Sequence, residues 1–349
     1  MRLEPRSDVP VYLTIMAPAG AVALALLLTA IPLLWADVPV ARAYGLIFTG
    51  ALGSQFALTE TLSRATPLIF TGLAAAVAFR ARLWNIGGEG QLYVGALTAV
   101  AVGSGAFVAS PAVMMPLILV LGAVAGALLM LIPTLLKLRL GVDEVVTTLL
   151  LNFVVLLFVS MMIEGPMKDP MGMGWPQTAP MIDEAVLPKL IERTRVHAGL
   201  VLALIAAVVI WVLVNRTAWG FEMRAVGASP AAARFAGMPV ARVMVRVGLI
   251  SGALAGLAGV GEVAGLKGYL TLDLSPGFGY SGIVVAMLAQ LNALAVVVSA
   301  LFVAVVFVGA DFMSRSIGVS SYLANLIVAT SLLTMLAASL ATRYRLRWR

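Results

Sequence analysis

The chain contains no cysteine and a single histidine, His197. Disulfides, thiolate metal ligands and histidine-based metal centres are therefore excluded, and cysteine usage leaves the redox compartment undecided. Charged residues make up only 11% of the 349 residues, against 62% hydrophobic ones. A soluble globule of this size needs far more charge, and the mean hydropathy of +1.05 belongs to a polytopic membrane protein. Polar stretches long enough for a separate soluble domain are also missing. One membrane domain over 1–349 is the expectation. The net charge of +7 suggests nucleic acid at first sight. It is better explained by arginines in cytoplasmic loops, which set orientation in a bilayer, so no nucleic-acid partner is expected.

What is present is a series of apolar runs, each near the roughly 20 residues that cross a bilayer. The first, Tyr12 to Trp35, follows Arg2 and Arg6 and lacks a small-residue cleavage pattern. It reads as an uncleaved span with a cytoplasmic N-terminus. Further spans are expected at Thr59–Phe79, Gln91–Ala109, Ala112–Leu136, Val145–Ile163, His197–Val214, Val243–Ala264, Ser281–Leu291 with an upstream extension, Ala293–Phe312 and Ser321–Ala341. The fold class is thus all-α and polytopic, with about ten transmembrane helices. Arg80, Arg82, Lys137, Arg139, Arg216 and the arginines from Arg343 to Arg349 then all fall inside, with both termini cytoplasmic; Arg315 is a mild exception. Asp37 to Phe56 reads as an interfacial helix. The proline-rich loop 164–195 is extracytoplasmic, either mobile or a docking surface.

The polar stretch Asn215 to Arg246 lies between two apolar runs long enough to cross a membrane and carries Arg216, Arg224, Arg234, Arg242 and Arg246 against one acid, Glu222. Ser229 suits an N-cap and Pro230 the first helical position, while Gly237 and Pro239 stop the helix. A short alanine-rich helix with Phe235 and Met238 as apolar knobs is expected on the cytoplasmic face, within a coupling segment at 215–242. A plain connecting loop is the simpler alternative.

Two breaks interrupt the apolar pattern. Gly87, Gly88 and Gly90 lie beside Asn85, Glu89 and Gln91; Pro276, Gly277 and Gly279 lie beside Tyr280 and Ser281. Irregular backbone at membrane depth belongs where it is buried in protein or lines a wet cavity. A polar break in each half is the trace expected of inverted repeats around a transport site. Asn85, Glu89 and Gln91 suit a hydroxylated or amide-bearing solute; a cytoplasmic turn with Glu89 at a helix N-terminus fits equally well. Asn152 is pathway lining or interhelical glue. Glu60 and Arg64, four apart, are placed to neutralise each other. Glu60, Glu262 and Asp311 fall near outer ends, where solvation is expected. Small residues repeat every four through Ser251–Gly265, a pattern for close helix packing.

Six stretches occur in an order that resembles the permeases of ABC importers of the nucleoside and simple-sugar group. They are ETLSRATPLIFTG from Glu60, WNIGGEGQLYVG from Trp84, DEVVTTLLLN from Asp143, GFEMRAVGASPAAARFAG from Gly220, SGALAGLAG from Ser251 and GYSGIVVAML from Gly279. The likeness runs from about Thr59 to Ala341; NIGGEGQ and RAVGASPAAARFAG are its specific parts. Trp84 departs from a common phenylalanine. The resemblance implies a non-enzymatic transport subunit in a bacterial inner (cytoplasmic) membrane. Its partners would be an ATPase with two nucleotide-binding modules, a second permease that is a paralogue, and an extracytoplasmic solute-binding lipoprotein of the basic membrane protein type. No phosphate loop G-x-x-x-x-G-K-[ST] is present, so ATP and Mg would bind the partner ATPase and no cofactor this chain. Arg224, Gly227, Ser229, Ala231, Ala232, Phe235 and Gly237 would form the ATPase-coupling segment. Asn85, Glu89, Gln91, Asn152 and Tyr280 would line the substrate pathway. An ion-coupled secondary transporter using Glu89 is the alternative class.

Overall fold

The computed structural model describes the backbone of residues 2–5, 11–105 and 107–347, and side chains within 20–105 and 107–337. Arg6 and Arg349 lie outside the described residues. Helices dominate: α1 (Val11–Trp35), α2 (Val40–Leu52), α3 (Gln55–Arg80), α4 (Gly88–Gly103), α5 (Pro111–Leu140), α6 (Glu144–Glu164), α7 (Gly199–Arg216), α8 (Ala218–Ala228), α9 (Pro230–Phe235), α10 (Val240–Glu262), α11 (Phe278–Leu288), α12 (Ala293–Ile317) and α13 (Ser321–Arg343). Six described helices are long and apolar enough to cross a membrane, and the α1–α2 pair, bent by 118°, passes the same test together. The helix expected in 37–56 is present as α2, turned sharply away from the end of α1. Helicity is not complete. A short antiparallel pair, β1 (Arg2–Pro5) with β2 (Tyr344–Arg347), joins the two chain ends, a feature without a sequence signal.

The chain forms two compact units, residues 1–64 with 301–349, and residues 65–300. In the first, α1 packs along α13, and Arg64 reaches Asp311 at 3.2 Å. Arg64 thus has an ion partner on a distant helix. In the second, α10 packs against α5 and α4, which also pack on each other. The reason is a set of backbone approaches that only glycine permits. A methyl group on Gly95 or Gly126 would overlap the backbone of Gly256 or Gly252 on α10, and one on Gly259 would overlap Leu92 on α4. In lipid, helices gain little from mutual burial of apolar side chains, so such close van der Waals contact drives their association. The small residues read from Ser251 onward are these contact points. Past Glu262 the helix widens into a π-helical turn, Val263–Lys267, ending at Gly268 with φ 76°. Glu262 itself is buried at 3% exposure, which corrects the expectation that it is solvated; α10 continues past it.

The middle of the 165–198 segment, 178–187, is tied down, while much of 165–177 and 188–195 is exposed. Thr178 N–H donates to the Leu270 carbonyl, Met181 N–H to Gly268, Ile182 N–H to Gly103 and Leu187 N–H to Ala264, at 2.7–3.0 Å. His197, 1% exposed, lies against Gly261 and Gly265 and accepts from Gly199 N–H at 3.1 Å.

Gly259→Ala is expected to destabilise by about 1–3 kcal/mol through overpacking, while Gly45→Ala, which meets open space within α2, is neutral or stabilising. Denaturation midpoints in detergent check the contrast; equal losses would refute the close-packing account. Burial holds His197 at about 4 against its ordinary 6.5. A histidine kept neutral in the fold binds fewer protons than in the unfolded chain, so its stabilisation is full above the ordinary value and falls as pH drops toward the lowered one. Hydrogen-exchange protection in 185–198, taken relative to the intrinsic rate at each pH, should therefore fall on acidification between those values, and the fall should vanish in His197→Gln.

Candidate functional site

The two breaks meet in space. The break before α4 is built on Asn85, whose side chain does several jobs. Its Oδ1 accepts from Gly87 N–H at 2.9 Å, and its amide pairs reciprocally with Gln91, each bond 2.9 Å. Nδ2 also donates to Ser251 Oγ on α10 at 2.8 Å, and Ser251 donates to the Ala74 carbonyl at 2.7 Å. Asn85 and Gln91 are 3% and 1% exposed. In this conformation their hydrogen-bonding capacity is spent on each other, on Gly87, on Ser251 of α10 and on the Met130 sulfur of α5. They lock the break, as buried polar groups must when no water reaches them.

Glu89 sits in the first turn of α4, and its Oε2 accepts from Gly279 N–H, in the first turn of α11, at 2.7 Å. Just before α11, Ser275 Oγ accepts from Gly277 N–H at 3.1 Å and from Phe278 N–H at 2.8 Å. The N-termini of α4 and α11 thus face one carboxylate, and each brings a positive helix end. Gly279 makes this possible, because a Cβ there would overlap Glu89 backbone. Asn152, from α6, closes the site. Its Oδ1 accepts from Gly90 N–H at 2.9 Å; its Nδ2 donates to the Ile86 carbonyl at 3.0 Å and lies 3.1 Å from Tyr280 Oη. Tyr280 is 39% exposed and is the open edge of the cluster. Tyr93, missed by the sequence reading, donates to the Leu272 carbonyl at 2.6 Å and accepts from Ser275 N–H at 3.3 Å, tying α4 to the loop before α11. Its place two residues past Gln91 was the available signal. Trp84 is not in the cluster: its ring lies against Phe79, centroids 4.7 Å apart.

The second candidate region contains two helices where one was expected. Thr217 caps α8 by accepting from Gly220 N–H at 3.1 Å. Gly227 packs on the Arg80 carbonyl, and Arg224 donates to the Val214 carbonyl. Ser229 Oγ accepts from Ala232 N–H at 3.2 Å, Pro230 opens α9, and Gly237 leaves it at φ 80°. Gly237 N–H then donates to Arg234 and Met238 N–H to Ala233, both at 3.0 Å, a Schellman closure. Ala233 faces inward, Ala231 and Ala232 are exposed, Phe235 is 97% exposed and Met238 is half-buried. One apolar knob stands free rather than two. No cluster able to hold a metal occurs among the described residues.

Residues 57–339 match the family described as branched-chain amino acid transport system, permease component, and the chain belongs to that family. It is 39% identical to a glucose ABC transporter permease protein of Haloferax volcanii over 99% of this chain and 93% of the relative. It is 36% identical to a guanosine ABC transporter permease protein of Bacillus subtilis over 95% of each. A nucleoside ABC transporter permease protein of Lactococcus lactis is 31% identical over 86% of this chain and 85% of the relative. The relatives are thus ABC permeases of the nucleoside and sugar group, as the motifs implied.

Asn152→Leu leaves the buried Gly90 N–H without a partner and should cost about 1–3 kcal/mol. Tyr280→Phe removes one half-exposed hydroxyl contact and should cost less than about 1 kcal/mol. Comparable losses in thermal stability for the two variants would contradict the assignment of Asn152 as the tie between α6 and the break.

Proposed function

We propose that this chain is the permease subunit of an ABC importer for nucleosides or related sugars and small polar solutes, with ATP hydrolysed on a separate ATPase. The observation that carries this reading is α9. A six-residue helix, capped at both ends and projecting Phe235 and two alanines, fits a docking knob better than a connector. The solute class rests on the glucose, guanosine and nucleoside permeases to which the chain is similar over most of its length. Ten spans in two inverted repeats, with both termini cytoplasmic, accommodate the six long apolar helices, the bent α1–α2 pair and the shorter α4, α11 and α13. Under that topology α4 and α11 are half-helices that run in opposite directions from a common point, as in transporters with discontinuous helices.

The solute pathway would run past Tyr280 and Asn152 toward Glu89, while Asn85 and Gln91 hold the break beneath it. Substrate hydroxyls would exchange for the Tyr280–Asn152 contact. Closure of the ATPase around Phe235 would move α9 and α8 as one lever against the Arg80 end of α3, where Gly227 bears. A second permease subunit, a paralogue, and an extracytoplasmic solute-binding protein complete the assembly. Glu89, already held by Gly279 N–H, gives no specific support to ion coupling.

Ala232→Glu places an unpaired charge at the proposed contact and should reduce uptake of labelled guanosine by at least about tenfold, since about 1.4 kcal/mol suffices. The variant should still insert and retain the second permease. Uptake at the unmodified rate would overturn the coupling role of α9. Uptake of glucose but no nucleoside by the unmodified complex would move the solute class to sugars.

A further inference from the structure

An open groove of about 270 Å³ lies between the end of α7, the start of α8 and the first half of α10, lined by Leu213, Trp219, Arg246, Leu249 and Ile250. Its chemistry changes along one line. Arg242, Arg246, Leu249 and Ile250 fall at spacings of four, three and one on α10, so they share a face of that helix. Two exposed arginines therefore give way to two apolar side chains within about two turns. Across the groove, Arg216 lies 5.6 Å from the centre of the Trp211 ring, at the same end of α7. Trp219 has a buried indole N–H with no acceptor in the protein, a state that costs free energy until an oxygen reaches it. The only acid in Asn215–Arg246 is Glu222.

We propose that this groove binds an anionic phospholipid. The headgroup phosphate lies between Arg242 and Arg246, and one acyl chain runs down Leu213, Leu249 and Ile250. The charge decides the occupant. Arginines clustered where membrane helices meet the cytoplasm attract anionic lipid, and a bare apolar slot with a cationic rim matches a lipid end to end. A protein partner would have to present an acidic rim beside an apolar ridge at membrane depth. A lipid seated here wedges α7, α8 and α10 together at the elbow from which α9 projects.

The inference rests on the cytoplasmic assignment of this end of α7, so the experiment separates the two. The intact transporter complex, purified in detergent, is titrated with phosphatidylglycerol or phosphatidylcholine and bound lipid is read by native mass spectrometry. Phosphatidylglycerol should be retained about fivefold more, and Arg246→Gln should remove about that factor, the effect of one arginine near an anionic surface. Arg139→Gln, at the end of α5, should leave retention unchanged. Equal retention of the two lipids, or no effect of Arg246→Gln, overturns the proposal. A photo-reactive residue at Leu249 in native membranes should yield lipid adducts; a protein adduct overturns it in favour of a subunit contact. Independently, Asn215→Cys, unique in a chain without cysteine, should react with an impermeant maleimide only after permeabilisation. Labelling in intact cells would overturn the topology while leaving the lipid preference to be judged in detergent.

Discussion

The second unit depends on the close approach of α4, α5 and α10 through glycine. Gly95 and Gly126 meet the backbone of α10 at Gly256 and Gly252, and Gly259 meets α4 at Leu92. Where lipid surrounds the helices, no larger side chain could substitute without separating all three. Every other element of the unit is fixed relative to this bundle. Ser251, on the same helix, anchors Asn85, so the irregular backbone before α4 inherits its position from α10.

That placement gives the polar cluster its character. Glu89 does not face a cavity alone; it joins the starts of two helices. Asn152 spends both ends of its amide on the backbone of the break. Only Tyr280 keeps a substantial open surface. The cluster is thus buried and hydrogen-bonded at its base and open at its Tyr280 edge. Helix α8 joins the same bundle, since it packs on both α7 and α10 and against α9.

Much of this was legible from residues alone. Long apolar runs located most helices to within a few positions, because a bilayer demands length and composition that little else imitates. Ser229, Pro230 and Gly237 located α9, because caps and stops are local chemistry. The glycine repeat in α10 identified a packing face but not its partners, which lie far away in sequence. The same limit hid the Arg64–Asp311 pair and the meeting of Glu89 with Gly279. Glu262 was misjudged because the helix outlasts its apolar run through a π-helical turn. The second helix in 215–246 escaped notice because α8 has neither a continuous apolar face nor a breaker before Ser229. The strand pair at the chain ends had no signal, since four polar-rich residues at each end specify no pairing by themselves.

The division of the chain into units bears on its biosynthesis. The second unit is continuous, from residue 65 to 300, while the first is assembled from residues 1–64 and 301–349. A ribosome delivers the chain from the N-terminus onward. The glycine-packed bundle can therefore complete itself while synthesis continues. Helix α1 must wait in the bilayer for α13, its packing partner, which is made only after the second unit. A truncation within α13 would strand α1 without that neighbour, a lesion that quality-control proteases would recognise even though the second unit is finished.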